Sequence, residues 1–172
     1  MAIYGPYDHP PISGLHLSPM ITRPQPTSTH RRVIIDLSWS LGQSVNAPLS
    51  SSIHVNFVCS LPYPTIDAMV QAAVAADNNG TCFIFKVDLE HAFGNLRVDP
   101  NDYALLGLGW HGRYYLDCGI PFGLKSGSFF CQLATDGIRH IMAQHGFELY
   151  NYSDDQIVIC PDWETACQAY LF

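Results

Sequence analysis

The chain of 172 residues carries 8 Lys and Arg against 15 Asp and Glu, giving a net charge of −7 at pH 7, and 48% of its residues are hydrophobic. This length and apolar content predict one folded domain with its own core and argue against a disordered chain. The negative charge argues against tight, unaided binding to a nucleic-acid backbone, so any basic portion is expected to lie outside this chain or to have been lost.

Cysteine spacing and apolar run lengths exclude further classes. The six cysteines occur without a Cys-x-x-Cys pair, so neither a zinc cluster nor a disulfide framework is predicted. The N-terminus lacks a secretion-like segment, and no apolar run approaches the roughly 20 residues that a membrane helix needs. An intracellular protein that does not span a membrane is therefore expected.

The first 31 residues are rich in proline and turn formers, which predicts an extended or irregular arm leading into a hairpin. A short β-branched strand is predicted over residues 33–37. Residues 41–60 carry polar turn formers with little periodicity and are expected to form a loop.

Helical spacing of apolar residues begins after Pro64. Thr65 is the predicted N-cap, and Asn78-Asn79-Gly80 is the predicted stop. The face expected to be buried against a sheet carries Ile66, Met69, Val70, Ala73 and Val74.

Strands and helices alternate in the rest of the chain. The predicted elements are a strand over 82–88, a hairpin of 105–110 with 113–118 joined at His111-Gly112, a helix over 125–144, a hairpin at Asp154-Asp155, and a helix starting at Trp163. This mixed order predicts an α+β domain in which an antiparallel sheet is backed by helices.

Two separated carboxylate motifs indicate a metal site. Asp154 and Asp155 form a turn between two apolar runs, and a divalent cation, a shared proton or bulk water would relieve their repulsion. Asp88 ends an apolar strand, where a carboxylate is costly unless it is paired or metal-bound. If the strand and the hairpin share one sheet, the three can hold two Mg²⁺ or Mn²⁺ ions. The alternatives are a solvated turn and a water-facing strand end.

Four segments resemble, in order, the motifs of the reverse transcriptases of retroelements. They are residues 31–38 as the fingers strand, 88–93 as the first catalytic motif, 120–124 as the template and nucleotide loop, and 152–155 as the signature tetrapeptide. The resemblance spans residues 15–159 and implies a polymerase palm with fingers elements, the thumb being absent. It implies a single truncated domain, with the arm, fingers and connecting helix before about residue 80 and mainly palm from about 81 to 172.

A narrower resemblance points to the tyrosine-recombinase, DIRS-like class of retrotransposons. It is carried by Gly5-Pro6-Tyr7, by residues 16–19, and by the run from Asp36-Leu37-Ser38 to Ser44-Val45-Asn46. The chain would then derive from a transposable element.

The resemblance assigns catalytic roles to the carboxylates. Asp88 and Asp154 would hold both cations, the backbone carbonyl of Leu89 would add a ligand, and Asp155 would be the supporting carboxylate. The ions would activate a primer 3′-hydroxyl and stabilise the leaving pyrophosphate. Ser153 departs from the family, which more often has an apolar residue at that position.

It also implies nucleotide-binding residues. Phe93 would lie under the incoming sugar and exclude a ribose 2′-hydroxyl; its alternative is a core aromatic. The remaining positions are Arg32 and Arg23 on the triphosphate, with Phe122, Gly123 and Tyr152 near the nucleotide. The alternative for Arg32 and Arg23 is an ordinary surface arginine, and Arg31 could take the same role. The alternative for the loop at Phe122 and Gly123 is a plain entry into a helix. Gln132, on the predicted helix, is expected to face the template strand.

The implied partners are an RNA or DNA template with a primer, deoxynucleoside triphosphates, and other segments or chains that supply a thumb. Because the chain ends soon after Asp155, before the family's later palm segment, the alternative is an inactive retroelement-derived fragment. An RNA-directed RNA polymerase is a further alternative, which Phe93 and Tyr152 disfavour.

Overall fold

Antiparallel strands and helices alternate along the chain, and the computed structural model describes residues 3–24, 29, 31–40, 42–47, 61, 63–77 and 79–172. The strands are β1 Ile3–Tyr7, β2 Met20–Pro24, β3 Arg31–Ile35, β4 Phe83–Asp88, β5 Gly107–Trp110, β6 Arg113–Asp117, β7 Glu148–Tyr152 and β8 Asp155–Cys160. The helices are α1 Ile66–Ala75, α2 Ala92–Asn95, α3 Gly127–Gln144 and α4 Trp163–Leu171, with a 3-10 helix at Pro100–Leu105. This architecture confirms the predicted α+β class.

Residues 1–60 and 91–128 form one unit. In it β6 lies between β1 and β5, and β2 pairs with β3. The predicted hairpin of β5 and β6 is confirmed, with φ of 47° at His111 and 73° at Gly112, the left-handed pair that suits a two-residue turn. The pairing of β1 with β6 was not predicted, because proline is tolerated in an edge strand but gives no signal for one.

Residues 61–90 and 129–172 form the second unit. Its sheet has β8 between β4 and β7, with antiparallel pairing throughout. Alternate residues of β4 point to opposite faces, so that Ile84, Lys86 and Asp88 are exposed. The opposite face packs against α3 and α4 through a core formed by Met142, Leu149, Val158, Cys160, Ala166 and Ala169. The sheet therefore has one covered face and one face that carries charge.

Helix α1 begins as predicted. The Thr65 side chain accepts a hydrogen bond from the backbone N–H of Ala68 at 3.2 Å, a standard N-cap. The helix ends at Ala75, a few residues before the predicted stop, and Asn79 and Gly80 follow with φ of 55° and 85°.

The predicted buried face of α1 is partly wrong. Ile66, Val70 and Val74 are 76%, 54% and 70% exposed, whereas Ala72 is 7% exposed. The helix contacts β8, and a small side chain such as alanine permits a close approach of helix to sheet. Sequence hydrophobicity favoured the bulkier residues, which lie on the opposite side.

Three further predictions concern loops, cysteines and membranes. Of the predicted loop 41–60, residues 42–47 form turns and bends, and residues 41 and 48–60 lie outside the described part of the chain. The cysteines that the structure describes are free thiols, and Cys118, Cys131 and Cys160 are buried. Among the described helices, none has the length and apolarity that a bilayer crossing requires. The division of the chain near residue 80 stays a prediction.

Candidate functional site

The predicted carboxylates lie together at one end of the second unit's sheet. Asp155, the first residue of β8, is directly opposite Asp88, the last residue of β4. The backbone N–H of Leu89 donates to the backbone carbonyl of Asp154 at 3.0 Å. The two carboxylate motifs, distant in sequence, therefore converge at one end of the sheet, the arrangement on which the predicted metal site depends.

The turn that carries the carboxylate pair is tight. Ser153 and Asp154 connect β7 to β8, and Ser153 has a φ of 54°, in the left-handed region that residues other than glycine seldom adopt. The rings of Tyr152 and Tyr63 lie 4.2 Å apart between centroids, and the Tyr63 hydroxyl is 3.4 Å from Ser153 Oγ. Tyr152 is nevertheless 55% exposed, which leaves part of its ring accessible.

A lysine side chain lies beside these carboxylates. Lys86 Nζ is 2.8 Å from Asp155 Oδ1. The hydrogen bond to Asp155, followed by the negative charges of Asp155, Asp88 and Asp154, raises the pKa of Lys86 above its ordinary value. All three carboxylates thus contribute to one negative potential. Lys86 was missed at the sequence level, although it stands two residues before Asp88 on the same strand and therefore on the same face.

The donor chemistry at this end of the sheet fits a hard divalent cation. Carboxylate and backbone carbonyl oxygens are the ligands that Mg²⁺ and Mn²⁺ prefer. Within the described residues, no three Asp, Glu, His or Cys side chains converge closely enough to form a recognisable metal cluster. Asp155 is engaged by Lys86 through its Oδ1, and its supporting role stays a prediction.

A buried glutamine of α3 contacts the turn from behind. Gln132 is 2% exposed, and its Oε1 accepts a hydrogen bond from the backbone N–H of Ser153 at 3.0 Å. Its Nε2 donates to Asp136 Oδ1 at 3.3 Å and to the backbone carbonyl of Asn151 at 3.4 Å. The expectation that Gln132 faces the template strand is therefore wrong, because this face of α3 is turned towards β7.

Asn151 extends the same buried network. It is 1% exposed, and its Nδ2 donates to Thr135 Oγ1 at 2.8 Å and to Asp136 Oδ1 at 3.1 Å. Thr135 Oγ1 in turn donates to the backbone carbonyl of Gln132 at 3.0 Å. Buried polar groups are costly unless they are paired, and here they pair with one another. The polar residues at helical spacing from 132 to 136 were the available signal, but such a stripe usually faces solvent.

Two predicted nucleotide-binding aromatics meet in the first unit. The rings of Phe93 and Phe122 pack edge to face, with centroids 5.6 Å apart and planes at 75°. The segment after Phe93 is held by a bond from the Ile120 N–H to the Leu96 carbonyl at 2.8 Å. Phe122 is 62% exposed, so its ring is available to a ligand rather than being part of the core.

The loop after Phe122 is fixed by a buried asparagine. Asn46 is 2% exposed; its Nδ2 donates to the Gly123 carbonyl at 2.9 Å and to Ser38 Oγ at 3.0 Å, and its Oδ1 accepts from the Lys125 N–H at 3.0 Å. Gly123 has a φ of 106°, and a Cβ there would lie 3.2 Å from the Ile35 carbonyl oxygen. Any other residue would therefore be strained at this position. The positioning role of Asn46 was not predicted.

The arginines lie on the hairpin of β2 and β3. Arg23 is exposed and directly opposite position 32 in the ladder, and opposite positions belong to one face of a sheet. The side chain of Arg32 lies outside the described residues. Arg31 donates from Nε to Thr22 Oγ1 at 2.8 Å and from Nη2 to the Thr22 carbonyl at 3.1 Å, so its guanidinium is held within the hairpin.

Comparison with known proteins identifies relatives of this chain. A family model described as "Reverse transcriptase (RNA-dependent DNA polymerase)" matches residues 15–171. The native protease-reverse transcriptase of prototype foamy virus is similar in structure, with a TM-score of 0.61 and 17% identity over 90% of this chain and 18% of that chain.

The selenomethionine-labelled CSH mutant of the same viral protein has a TM-score of 0.63 and 18% identity over 94% of this chain and 19% of that chain. At these identities the likeness concerns the fold, and this chain spans about a fifth of the viral protein's length. No curated protein is significantly similar in sequence.

Proposed function

Because the chain belongs to the family of reverse transcriptases, the RNA-dependent DNA polymerases, we propose that it carries the catalytic residues of an RNA-directed DNA polymerase. The reaction is nucleotidyl transfer, in which a primer 3′-hydroxyl attacks the α-phosphate of a deoxynucleoside triphosphate and pyrophosphate leaves. One observation carries the proposal: Asp88 faces Asp155 across the β4–β8 ladder, and Leu89 bonds to Asp154 at the same end of the sheet. The template is RNA or DNA.

The proposed metal ligands are Asp88, Asp154 and the Leu89 carbonyl. A pair of Mg²⁺ or Mn²⁺ ions, when bound, supplies a lowered pKa for the attacking hydroxyl and charge stabilisation for the leaving oxygen. Asp155 is proposed to support these ligands, and its ion pair with Lys86 compensates its charge at this end of the sheet. The hydrogen bond to Asp155 and the charges of Asp155, Asp88 and Asp154 raise the pKa of Lys86, and the same negative charge would favour divalent cations at this end of the sheet.

Residues of the first unit are proposed to select the nucleotide. Phe93 packs edge to face on Phe122, which stiffens a ring proposed to lie under the sugar and to exclude a 2′-hydroxyl. Gly123 lets the loop backbone approach the nucleotide closely. Arg23 and Arg32, at opposite positions of β2 and β3, are proposed triphosphate contacts, because a guanidinium group pairs well with phosphate oxygens.

The tyrosine-recombinase, DIRS-like class remains our proposal for the parent element. It is supported by the Gly5-Pro6-Tyr7 start and by the run from Asp36 to Asn46. Partner segments or chains that supply a thumb are part of the same proposal, because this chain spans about a fifth of the solved relatives' length.

The test is primer extension on an RNA template with deoxynucleotides and Mg²⁺ or Mn²⁺. Asp154→Asn is expected to reduce extension by about 10³-fold or more, because it removes a charged ligand of the proposed metal ions. The matched control is Asp162→Asn. Asp162 caps α4 by accepting from the Thr165 N–H at 2.7 Å, and asparagine caps a helix equally well, so extension should be unchanged.

The rival function is an inactive palm fragment. It is favoured by the net charge of −7 and by the lack, among described residues, of three converging carboxylate side chains. Extension by the wild-type chain and by Asp162→Asn, but not by Asp154→Asn, excludes it. If the folded variants all fail to extend the primer, that result supports the inactive fragment. Faster incorporation of ribonucleotides than deoxynucleotides would instead indicate an RNA-directed RNA polymerase and contradict the role of Phe93.

A further inference from the structure

We propose that Gln132 is a positioning residue that holds the Ser153-Asp154 turn in its catalytic geometry, and that Asp136 fixes the orientation of the Gln132 amide. The proposal rests on the proposed function of the turn, but its central contact does not depend on catalysis. That contact is the 3.0 Å hydrogen bond from the Ser153 N–H to Gln132 Oε1.

The amide of Gln132 can take only one orientation here. Its Nε2 faces two acceptors, Asp136 Oδ1 at 3.3 Å and the Asn151 carbonyl at 3.4 Å. A flipped amide would place Oε1 against a carboxylate and a carbonyl, and would turn an N–H donor towards the Ser153 N–H. Both changes are repulsive. The acceptor oxygen is therefore directed at the turn by Asp136 and Asn151.

The turn needs such a support for two reasons. Ser153 holds a left-handed φ of 54°, which costs free energy in a residue with a Cβ. Asp154 and Asp155 repel each other, and rotating the peptide at Ser153 towards an extended conformation would strain the 3.0 Å bond from the Leu89 N–H to the Asp154 carbonyl. Gln132 is 2% exposed, so water does not compete freely for its bond to the Ser153 N–H.

A second polar contact of this backbone is weaker. Gln156 Nε2 lies 3.5 Å from the Ser153 carbonyl, at the limit of hydrogen-bond distance. Within the described residues, the buried Oε1 of Gln156 has no hydrogen-bond partner, so this side chain is not oriented as Gln132 is. The two glutamines flank one turn, and the geometry assigns the positioning role to Gln132.

The test uses Gln132→Met, which keeps the length of the side chain and removes the amide. Two quantities are measured: hydrogen exchange at the Ser153 amide by NMR, and kcat and KM for deoxynucleotide in primer extension. We expect exchange at Ser153 to accelerate about tenfold beyond the change at Leu149 and Val158, because a single hydrogen bond is lost. We expect kcat to fall about 10- to 100-fold with KM within about threefold, because a misplaced catalytic group slows chemistry without weakening binding.

Two variants separate positioning from stability. Met142→Ala removes a buried core side chain of the same helix, 7% exposed, and should accelerate exchange across β7 and β8 together while kcat stays unchanged in the folded fraction. Asp136→Asn keeps the Oδ1 acceptor for Gln132, whereas Asp136→Leu removes it. Only the leucine variant should reproduce the fast exchange of Ser153.

The outcomes divide clearly. Unchanged Ser153 exchange in Gln132→Met, or fast exchange with an unchanged kcat, overturns the proposal, as does an equal loss of kcat in Met142→Ala. If the wild-type chain extends no primer, the exchange comparison alone decides whether Gln132 holds the turn, and the failure belongs to the proposed function.

Discussion

The loop at Gly123 and the turn at Ser153 lie in different units, yet each is held by one buried amide side chain. Asn46, 2% exposed, bonds to the loop through the Gly123 carbonyl and the Lys125 N–H. Gln132, also 2% exposed, bonds to the turn through the Ser153 N–H. In both cases a polar side chain from a distant segment positions backbone that is proposed to touch substrate.

The two devices differ in how they are oriented. Asn46 uses its donor and its acceptor on the loop itself, with Ser38 Oγ as a third partner, so the loop's own backbone fixes the amide. Gln132 bonds to the turn only through its acceptor oxygen, Oε1, whereas its Nε2 donates to the Asp136 carboxylate, which orients the amide. The loop is therefore held by shape and backbone bonds, whereas the turn is held by a network behind it. We expect damage to the first to weaken nucleotide binding and damage to the second to slow the chemical step.

Asn46→Leu should have the largest effect on stability. It removes the hydrogen bonds that Asn46 makes to the Gly123 carbonyl, the Lys125 N–H and Ser38 Oγ, and the expected loss is about 2–4 kcal/mol of unfolding free energy. In primer extension, KM for deoxynucleotide should rise more than kcat falls, the opposite of Gln132→Met. Urea denaturation and steady-state kinetics measure both.

Ser38→Ala is the matched control for Asn46→Leu. It removes one partner of Asn46 Nδ2 at 3.0 Å but leaves both loop bonds intact. Its expected cost is about 1 kcal/mol, with KM unchanged. If Ser38→Ala and Asn46→Leu are equally destabilising, the loop bonds contribute nothing and the comparison between the two regions fails.

The two units also treat carboxylates differently, which gives a pH prediction. Asp117, in the first unit, is 3% exposed; burial raises the pKa of its carboxyl above the ordinary 3.8, against a smaller opposing effect of the bond from the Gly119 N–H. Its contribution to stability is therefore present below pH 3.8 and is lost as the pH rises through the raised pKa. Asp155 in the second unit is instead paired with Lys86 near solvent.

Asp117→Asn should therefore stabilise the chain by about 1 kcal/mol at pH 7 and by much less at pH 3, where the aspartate is already neutral. Asparagine keeps an oxygen for the Gly119 N–H, so the 3.1 Å bond survives. Denaturant titrations of both proteins at the two pH values measure the difference. A gain that is equal at both values would show that burial of the charge is not its cause.

The sequence predicted much of the local structure, and it placed the two carboxylate motifs in segments that the fold brings together. Caps, turns and apolar alternation are local, so α1, the β5–β6 hairpin and the carboxylate hairpin follow from neighbouring residues. Family motifs named Asp88, Asp154 and Asp155, and the fold adds that they lie at the same end of the sheet.

What the sequence did not predict depends on tertiary register. The roles of Asn46 and Gln132 arise from partners 77 and 21 residues away, and neither spacing has a local signature. The exposed valines of α1 show the same limit, since an apolar stripe indicates a buried face only when the neighbouring element demands it. Lys86 is the exception, because strand alternation was sufficient to place it beside Asp88.

The smallest predicted effect concerns the left-handed position in each region. The loop has Gly123 at a φ of 106°, a residue without a Cβ, whereas the turn has Ser153 at 54°. Asparagine tolerates the left-handed region better than serine, so Ser153→Asn should stabilise the chain by about 0.3–0.5 kcal/mol. The Gln132 bond is made to the backbone N–H and is retained, and the 3.4 Å contact to Tyr63 is long enough to contribute little.

Ser153→Val should cost about 1–2 kcal/mol, because a β-branched residue resists positive φ most strongly. Paired urea titrations give the order Asn, Ser, Val if the turn is left-handed, and the reverse order would mean that Ser153 takes an extended conformation in solution, so that Gln132 supports a turn of a different shape.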